Sequence, residues 1–189
     1  MNIEEIDADV KNTLSEKRYY HSKCVMDMCE KLAIRYNVDL ETAKKVGIAH
    51  DIAKEMPEEE KFRYIKKNNI KIEKIEKIHT GLLHAKIGAD IGIKRYGFTK
   101  EMADAIKCHT TGRKNMTMLD KILYIADWTG LDRKFDNTEF VRNLAFENID
   151  EAIIYSLEDV MQDKFSTKEQ IHIDTVLARN TLLKKGGKL

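Results

Sequence analysis

Ala43-Lys44-Lys45-Val46-Gly47-Ile48-Ala49-His50-Asp51-Ile52-Ala53-Lys54 is the stretch whose reading decides how this chain folds. Ala43, Val46, Gly47 and His50 fall three, four and seven apart, the spacing of one face of an α-helix. A histidine that continues an apolar stripe is turned inward, and the aspartate beside it brings a carboxylate to the same interior. The pattern recurs along the chain. His21 is followed by Cys24, Val25, Met28 and Leu32, and His84 precedes Ile87, Gly88 and Ile91. His109 follows Met102, Ala105 and Ile106, while Asp127 follows Leu123 and Tyr124. Five helices thus each aim one ligand-type side chain along a buried stripe, and Asp51 adds a second carboxylate. Such groups cannot leave water unpaired without a large desolvation cost. Taken singly, an inward histidine is more often a hydrogen-bonded core residue than a ligand. It is the ordered set of six that points to bound metal.

The composition agrees with a helical protein. A single proline, Pro57, and 7% aromatic residues favour helices over a β-sandwich or barrel, and no segment has a convincing period of two. The 189 residues suffice for one sizeable core and are marginal for two. A formal net charge of +1 supplies no global field for nucleic acid or an anionic membrane. No apolar run approaches the roughly 20 residues that span a bilayer. Cys24, Cys29 and Cys108 are odd in number and lack metal-finger spacing, as expected of reduced intracellular thiols. Glu4, Glu5, Asp7 and Asp9 near the start are the opposite of a secretory or mitochondrial presequence. From these features a cytoplasmic protein is expected.

Local signals divide the chain into helices. Ile3, Ile6 and Val10 predict a short first helix. Ser15 caps a second that ends at Asn37, and Asp39 caps a third reaching about Lys54. Pro57, followed by Glu58 to Glu60, opens a fourth that Asn68-Asn69 breaks. A helix is expected from about Thr80 to Arg95 with Gly97 as its stop, and Thr99 caps the next, ending near His109. Thr117 with Asp120 forms a capping box for a helix reaching Trp128. After a turn over 130–137, two more are predicted, about Thr138 to Met161 and Thr167 to Lys184, the latter opened by Ser166 and Glu169. The basic, Gly-rich 184–189 tail is expected to fray.

Neutral imidazoles mixed with carboxylates suit divalent first-row metals: iron, manganese or zinc. A carboxylate can join two ions, and Asp51 is the natural bridge. Two ions about 3.5–4 Å apart can share a hydroxide and clamp the oxygens of an in-line phosphoryl displacement.

The order His21, His50-Asp51, His84, His109, Asp127 resembles the HD-domain metallophosphohydrolases. Arg18-Tyr19-Tyr20-His21-Ser22, His50-Asp51-Ile52-Ala53-Lys54, Leu82-Leu83-His84, Cys108-His109-Thr110-Thr111-Gly112-Arg113 and Ala126-Asp127-Trp128 narrow the resemblance to the YqeK-like symmetrical bis(5'-nucleosyl)-tetraphosphatases. It covers about Ser15 to Lys164, and His-Thr-Thr-Gly-Arg is its most specific element. The resemblance implies an all-α fold, a single HD-domain helical bundle of roughly eight to ten helices over 1–189 with its core at about 15–165. It implies two divalent ions, iron favoured, with His21, His50 and Asp127 on one, His84 and His109 on the other, and Asp51 between. It also implies symmetrical cleavage of diadenosine tetraphosphate to two ADP, and it leaves a homodimer open. Where related sequences commonly place an acidic residue and a proline after the final aspartate, this chain reads Trp128-Thr129-Gly130-Leu131.

Other residues are assigned around this centre. Lys54, one turn after His50, offers a point charge to phosphate or caps a helix end. Thr110, Thr111, Gly112 and Arg113 suit a phosphate through hydroxyls, close backbone approach and a guanidinium fork, although an ordinary helix-ending loop has the same composition. Asp51, Lys54 and Arg113 are expected to act in catalysis. Arg18 and Arg133, with Lys134, are candidates for substrate contact or for solvated positions. Trp128 is read as core or a base-stacking platform, and the methionines as core filling. His79 is substrate-proximal or, like His172, a surface or structural residue. Two rivals remain from the residues alone: an HD-type nucleotidase or deoxynucleotide phosphohydrolase, and a non-catalytic regulatory domain that binds nucleotide.

Overall fold

The computed structural model of the chain describes residues 1–134 and 136–185, with 184 and 185 known by backbone alone. Eleven α-helices and no strand are present among the described residues. They are α1 (Ile3–Thr13), α2 (Glu16–Tyr36), α3 (Leu40–Ala49), α4 (Glu58–Lys67), α5 (Lys74–Ile78), α6 (Leu83–Ile91), α7 (Lys100–Cys108), α8 (Met118–Thr129), α9 (Thr138–Glu147), α10 (Ile149–Thr167) and α11 (Ile173–Lys185). No described helix is long and apolar enough to cross a membrane.

Caps set most of the boundaries where the sequence placed them. Ser15, Asp39 and Thr99 each accept a hydrogen bond from the backbone N–H three residues on. Thr117 and Asp120 form the expected capping box. Asn37 and Gly97 end their helices in the left-handed conformation.

Four boundaries differ from expectation. The third helix stops at Ala49, not Lys54, and the chain continues in three-residue turns: Ile52 N–H donates to Ala49 O and Lys54 N–H to Asp51 O. A continued α-helix separates successive side chains by about 100°, so the change of geometry occurs where two consecutive residues must face one centre. The segment 80–95 divides into a tight turn at Thr80–Leu82, α6, and a π turn at Gly92–Tyr96. The expected helix from Thr138 to Met161 is broken at Asn148, whose side chain caps α10. The Tyr36 hydroxyl holds that break, donating to Ala145 O and accepting from Ile149 N–H. The last helix starts at Ile173, not Thr167, because α10 runs on through Thr167 and ends at Lys168 in the left-handed conformation. The frayed tail expected at 184–189 lies outside the described residues, save for the backbone of 184 and 185.

One core joins α1, α2, α3, α7, α8, α9, α10 and α11 through residues such as Val25, Leu32, Val46, Ile106, Leu123, Ile153 and Ala178. A smaller cluster of Ala53, Ile65, Leu83 and Ile87 seats α4 on α6. Helices α2 and α3 share the most extensive contact. A Cβ at Gly47 would stand 2.8 Å from Met26 Cα, a backbone atom that cannot swing aside. Gly47 therefore fixes the separation of the helices that carry His21 and His50. We expect Gly47→Ala to destabilise the protein by about 1–3 kcal/mol, the usual cost of overpacking, as measured by denaturant unfolding; a neutral result would show that α2 and α3 can part freely.

Candidate metal centre

Six side chains from α2, α3, α6, α7, α8 and the turn after α3 converge. His21 projects from α2, His84 from the first turn of α6 and Asp127 from α8, while His50 and His109 are the C-cap residues of α3 and α7. His50, Asp51, His84 and His109 are almost wholly buried, with no more than 2% of any of them exposed.

Hydrogen bonds at the far side of each ring decide what it offers inward. The Nδ1–H groups of His50, His84 and His109 donate to the carbonyls three residues back, Gly47 O, Gly81 O and Ile106 O. His21 Nδ1 lies 2.8 Å from an Asp132 carboxylate oxygen. With the proton on Nδ1 in all four, each Nε2 is left with a bare lone pair. These lone pairs face carboxylate oxygens. His21 Nε2 is 3.0 Å from Asp127 Oδ1, and His84 Nε2 is 3.0 Å from Asp51 Oδ1 and 3.1 Å from His109 Nε2. Acceptors opposed at such distances have no proton to share. The Nε2 atoms of His21 and His50, and Asp51 Oδ1, are buried without a hydrogen-bond partner.

A cation between them resolves the conflict, and the spacing fits one. With metal–ligand bonds of about 2.1 Å, adjacent ligands of an octahedral ion are about 3.0 Å apart. His21, His50 and Asp127 form one group able to hold an ion, and His50, Asp51 and His109 form another. Asp51 addresses both halves. Its Oδ2 lies 3.5 Å from His50 Nε2 and 3.9 Å from His21 Nε2, and its Oδ1 faces His84 and His109. The carbonyl ends of α3 and α7 close on the same place, adding partial negative charge that favours a cation.

Electrostatics hold the donors in ligating form. Burial disfavours the charged forms of Asp51 and Asp127. Arg18 beside Asp51 and Arg133 beside Asp127 favour them instead. Burial pushes the His84 imidazole down to about 4, against the opposing pull of Asp51, so it is neutral near pH 7. Cations stand at the rim. Arg18 is 3.0 Å from Asp51 Oδ2, Arg133 is 2.6 Å from Asp127 Oδ1, and Lys54 Nζ lies 3.4 Å from His84 Nε2 and 3.9 Å from Asp51 Oδ1.

The His109-Thr110-Thr111-Gly112-Arg113 loop is differently engaged from its sequence reading. Gly112, at φ +66°, packs against α11, where a Cβ would meet Ala178 Cβ at 2.8 Å. The Arg113 guanidinium lies on the buried Asp120, at 2.7 Å, and 3.8 Å from Asp104. The Thr111 hydroxyl donates to Gly112 O. The loop thus ties α7 to the start of α8 and to α11, and neither Gly112 nor the Arg113 fork is turned onto the six residues. Lys134 is exposed. All three cysteines are buried and unpaired, and the Cys108 thiol points to Ala105 O. Neither His79 nor His172 joins the centre; both line a cavity beside it, and His172 is buried, contrary to a surface position.

Asp132 is the residue that sequence reasoning missed. It sits in the turn after α8, five positions beyond Asp127, with no helical stripe to mark it. Its proximity to His21 exists only once that turn folds back on α2. An outer carboxylate raises the basicity of a ligating imidazole and fixes its ring. We expect Asp132→Asn to weaken binding of the more loosely held divalent ion about tenfold in chelator competition; unchanged affinity would separate Asp132 from the centre.

Comparison with known proteins places this geometry in a family. The HD domain model matches residues 18–131, the span from before His21 to beyond Asp127. The symmetrical bis(5'-nucleosyl)-tetraphosphatase of Bacillus subtilis is 35% identical over 97% of this chain and 98% of its own length. The enzyme of that name from Staphylococcus aureus is 31% identical over 77% of this chain and 75% of its own. A crystal structure of a predicted HD superfamily hydrolase involved in NAD metabolism, from Clostridium acetobutylicum, has a TM-score of 0.93 at 33% identity, covering 98% of both chains. With its six inward donors inside the matched span, the chain is a hydrolase of the HD domain family and belongs with the symmetrical bis(5'-nucleosyl)-tetraphosphatases.

Proposed function

We propose that this chain cleaves diadenosine tetraphosphate to two ADP with the help of two divalent ions. The observation that carries the reading is the opposition of four imidazole lone pairs and two ionised carboxylates, which a polyphosphate hydrolase of this family can use and a packed core cannot tolerate. Likeness to the named tetraphosphatases over nearly the whole chain supports the substrate. His21, His50 and Asp127 would hold one ion and His84 and His109 the other, with one oxygen of Asp51 on each side. Iron is favoured, and manganese and zinc suit the same donors. When bound, such ions polarise phosphoryl oxygens and make water acidic enough to attack at neutral pH.

The chain's own groups do the rest. Arg18, Lys54 and Arg133 are each roughly one-third exposed at the side chain, so their charges face the approach to the centre. They draw the tetraphosphate in and offset charge that builds on it as the central anhydride opens. Water oxygen bonds to one inner phosphorus while the bond from that phosphorus to the bridging oxygen breaks, which leaves ADP on both sides. ADP departs as a stabilised phosphate anion, so no buried acid is needed. Asp51 and Asp127, held ionised, act as anchors and not as proton donors.

Chromatography of the products from diadenosine tetraphosphate, with iron, manganese and zinc supplied separately, tests the activity. ADP alone is expected. Inorganic phosphate from mononucleotides, with the dinucleotide untouched, would make the chain a nucleotidase; tight binding without turnover would make it a regulatory domain. We also expect Asp51→Asn to lower turnover at least about 1000-fold, comparable to removing a central electrostatic group, and to cut bound metal from two ions per chain to one or none. An active variant with two ions would rule out the bridging role.

A further inference from the structure

Arg142 stands on α9, outside the six inward donors, yet its guanidinium reaches the turn on which one of their supports depends. Nε donates to Thr129 O at 2.9 Å and Nη2 to Gly130 O at 3.2 Å. Thr129 is the last residue of α8 and Gly130 its C-cap, so both carbonyls lie where the helix runs out of its own donors. A cation there satisfies them and faces the negative end of the helix. Gly130 O also accepts from Arg133 N–H at 2.9 Å, which closes the turn that carries Asp132. Helix α9 is itself anchored. Val141 is fully buried beside Arg142, and the carbonyls of Ala145 and Phe146 accept from the Tyr36 hydroxyl and from Arg35 Nε of α2.

The seat of Asp132 is not one that its own side chain secures. Its Oδ2 lies 2.8 Å from His21 Nδ1, but its Oδ1 is buried with no hydrogen-bond partner. Half of the carboxylate has therefore left water without a replacement, which costs free energy. Gly130 makes the room: a Cβ at that position would stand 2.9 Å from Asp132 Oδ1. Asp132 keeps this place only while the backbone beneath it is held. Arg142 bonds that backbone at two consecutive carbonyls, those of Thr129 and Gly130.

We infer that Arg142 is a positioning residue for the metal centre. Its bonds to Thr129 O and Gly130 O set the turn that brings Asp132 to His21, and Asp132 then fixes the His21 ring towards the ion it would share with His50 and Asp127. The effect on the ion rests on reading the six donors as a metal centre; the effect on Asp132 does not. The line of support starts and ends on α2. It runs from Tyr36 and Arg35 to α9, from Arg142 to the end of α8, and from Asp132 back to His21. A side chain one helix removed from the chemistry thereby governs how firmly one imidazole is aimed.

Proton NMR of the metal-free protein, paired with chelator competition for manganese or zinc, tests the assignment. The buried His21 Nδ1–H that donates to Asp132 should give a downfield resonance, identified by its loss in Asp132→Ala. Arg142→Met keeps the aliphatic stem and removes the donors. It should abolish that resonance and weaken the more loosely held ion about fivefold, at the low end of what loss of an outer partner does. Arg142→Lys, with one donor left, should fall between Arg142→Met and the unaltered protein. In an Asp132→Ala background Arg142→Met should change ion affinity less than about twofold, because the residue it acts through is gone. A side chain that only stabilised the fold would lower the unfolding midpoint, leave the resonance and the affinity in place below it, and act additively with Asp132→Ala. Gly130→Ala reaches the same seat with Arg142 intact. Its Cβ should push Asp132 Oδ1 aside and weaken the ion when Asp132 is present, and do nothing further in Asp132→Ala. Unchanged resonance and affinity in Arg142→Met, additivity with Asp132→Ala, or no effect of Gly130→Ala would each overturn the proposal. If the unaltered protein binds no divalent ion and the resonance is lost in Arg142→Met, the positioning of Asp132 stands and the metal reading fails. If ions bind and neither measurement moves, the metal reading stands and the positioning fails.

Discussion

Four imidazole nitrogens and two carboxylates present lone pairs to one another in the interior of this protein, and the surrounding structure keeps them there. Groups 3.0–3.1 Å apart, such as His84 Nε2 with Asp51 Oδ1 and with His109 Nε2, repel unless a cation lies among them. The arrangement is costly in isolation, and a divalent cation among the donors would relieve it. Burial disfavours the charged forms of Asp51 and Asp127, and Arg18 and Arg133 beside them act the other way. Folding therefore prepares a charged pocket in advance, so that the cost of assembling donors is met before any substrate arrives.

The scaffold achieves this with backbone as much as with side chains. His50 and His109 end their helices, and His84 opens one, yet each uses the same device: Nδ1–H donates to the carbonyl three residues before it. The carbonyl would otherwise lack a partner at a helix end or tight turn, and the ring gains a fixed tautomer. His21, in the middle of α2, has its neighbouring carbonyls occupied by the helix and relies on Asp132 from a distant turn. Gly47 sets the distance between α2 and α3, so a missing side chain governs how near His21 and His50 come.

The two ends of the candidate site differ in character. Arg18, Lys54 and Arg133 give the metal side a cationic rim, whereas of the two cavities beside it one is walled largely by apolar residues and the other is net acidic. Arg113, whose sequence context suits a phosphate fork, rests its guanidinium on Asp120, one turn into α8.

Periodicity and local chemistry were enough to determine the helical class, most helix starts, and the six inward donors. These depend on interactions within a few residues: a cap reaching three positions along the chain, or a stripe recurring every three to four. The break at Asn148 was invisible because Tyr36, more than a hundred positions away, stabilises it. The early end of α3 follows from the demand that His50 and Asp51 face one point, which arises only when five helices converge. Asp132 and His172 carry no signal of their own, since one turn of chain and one histidine look like any other. Tertiary structure alone decided that the first supports His21 and that the second is buried with its Nε2 unpaired, because each depends on which distant segment packs against it.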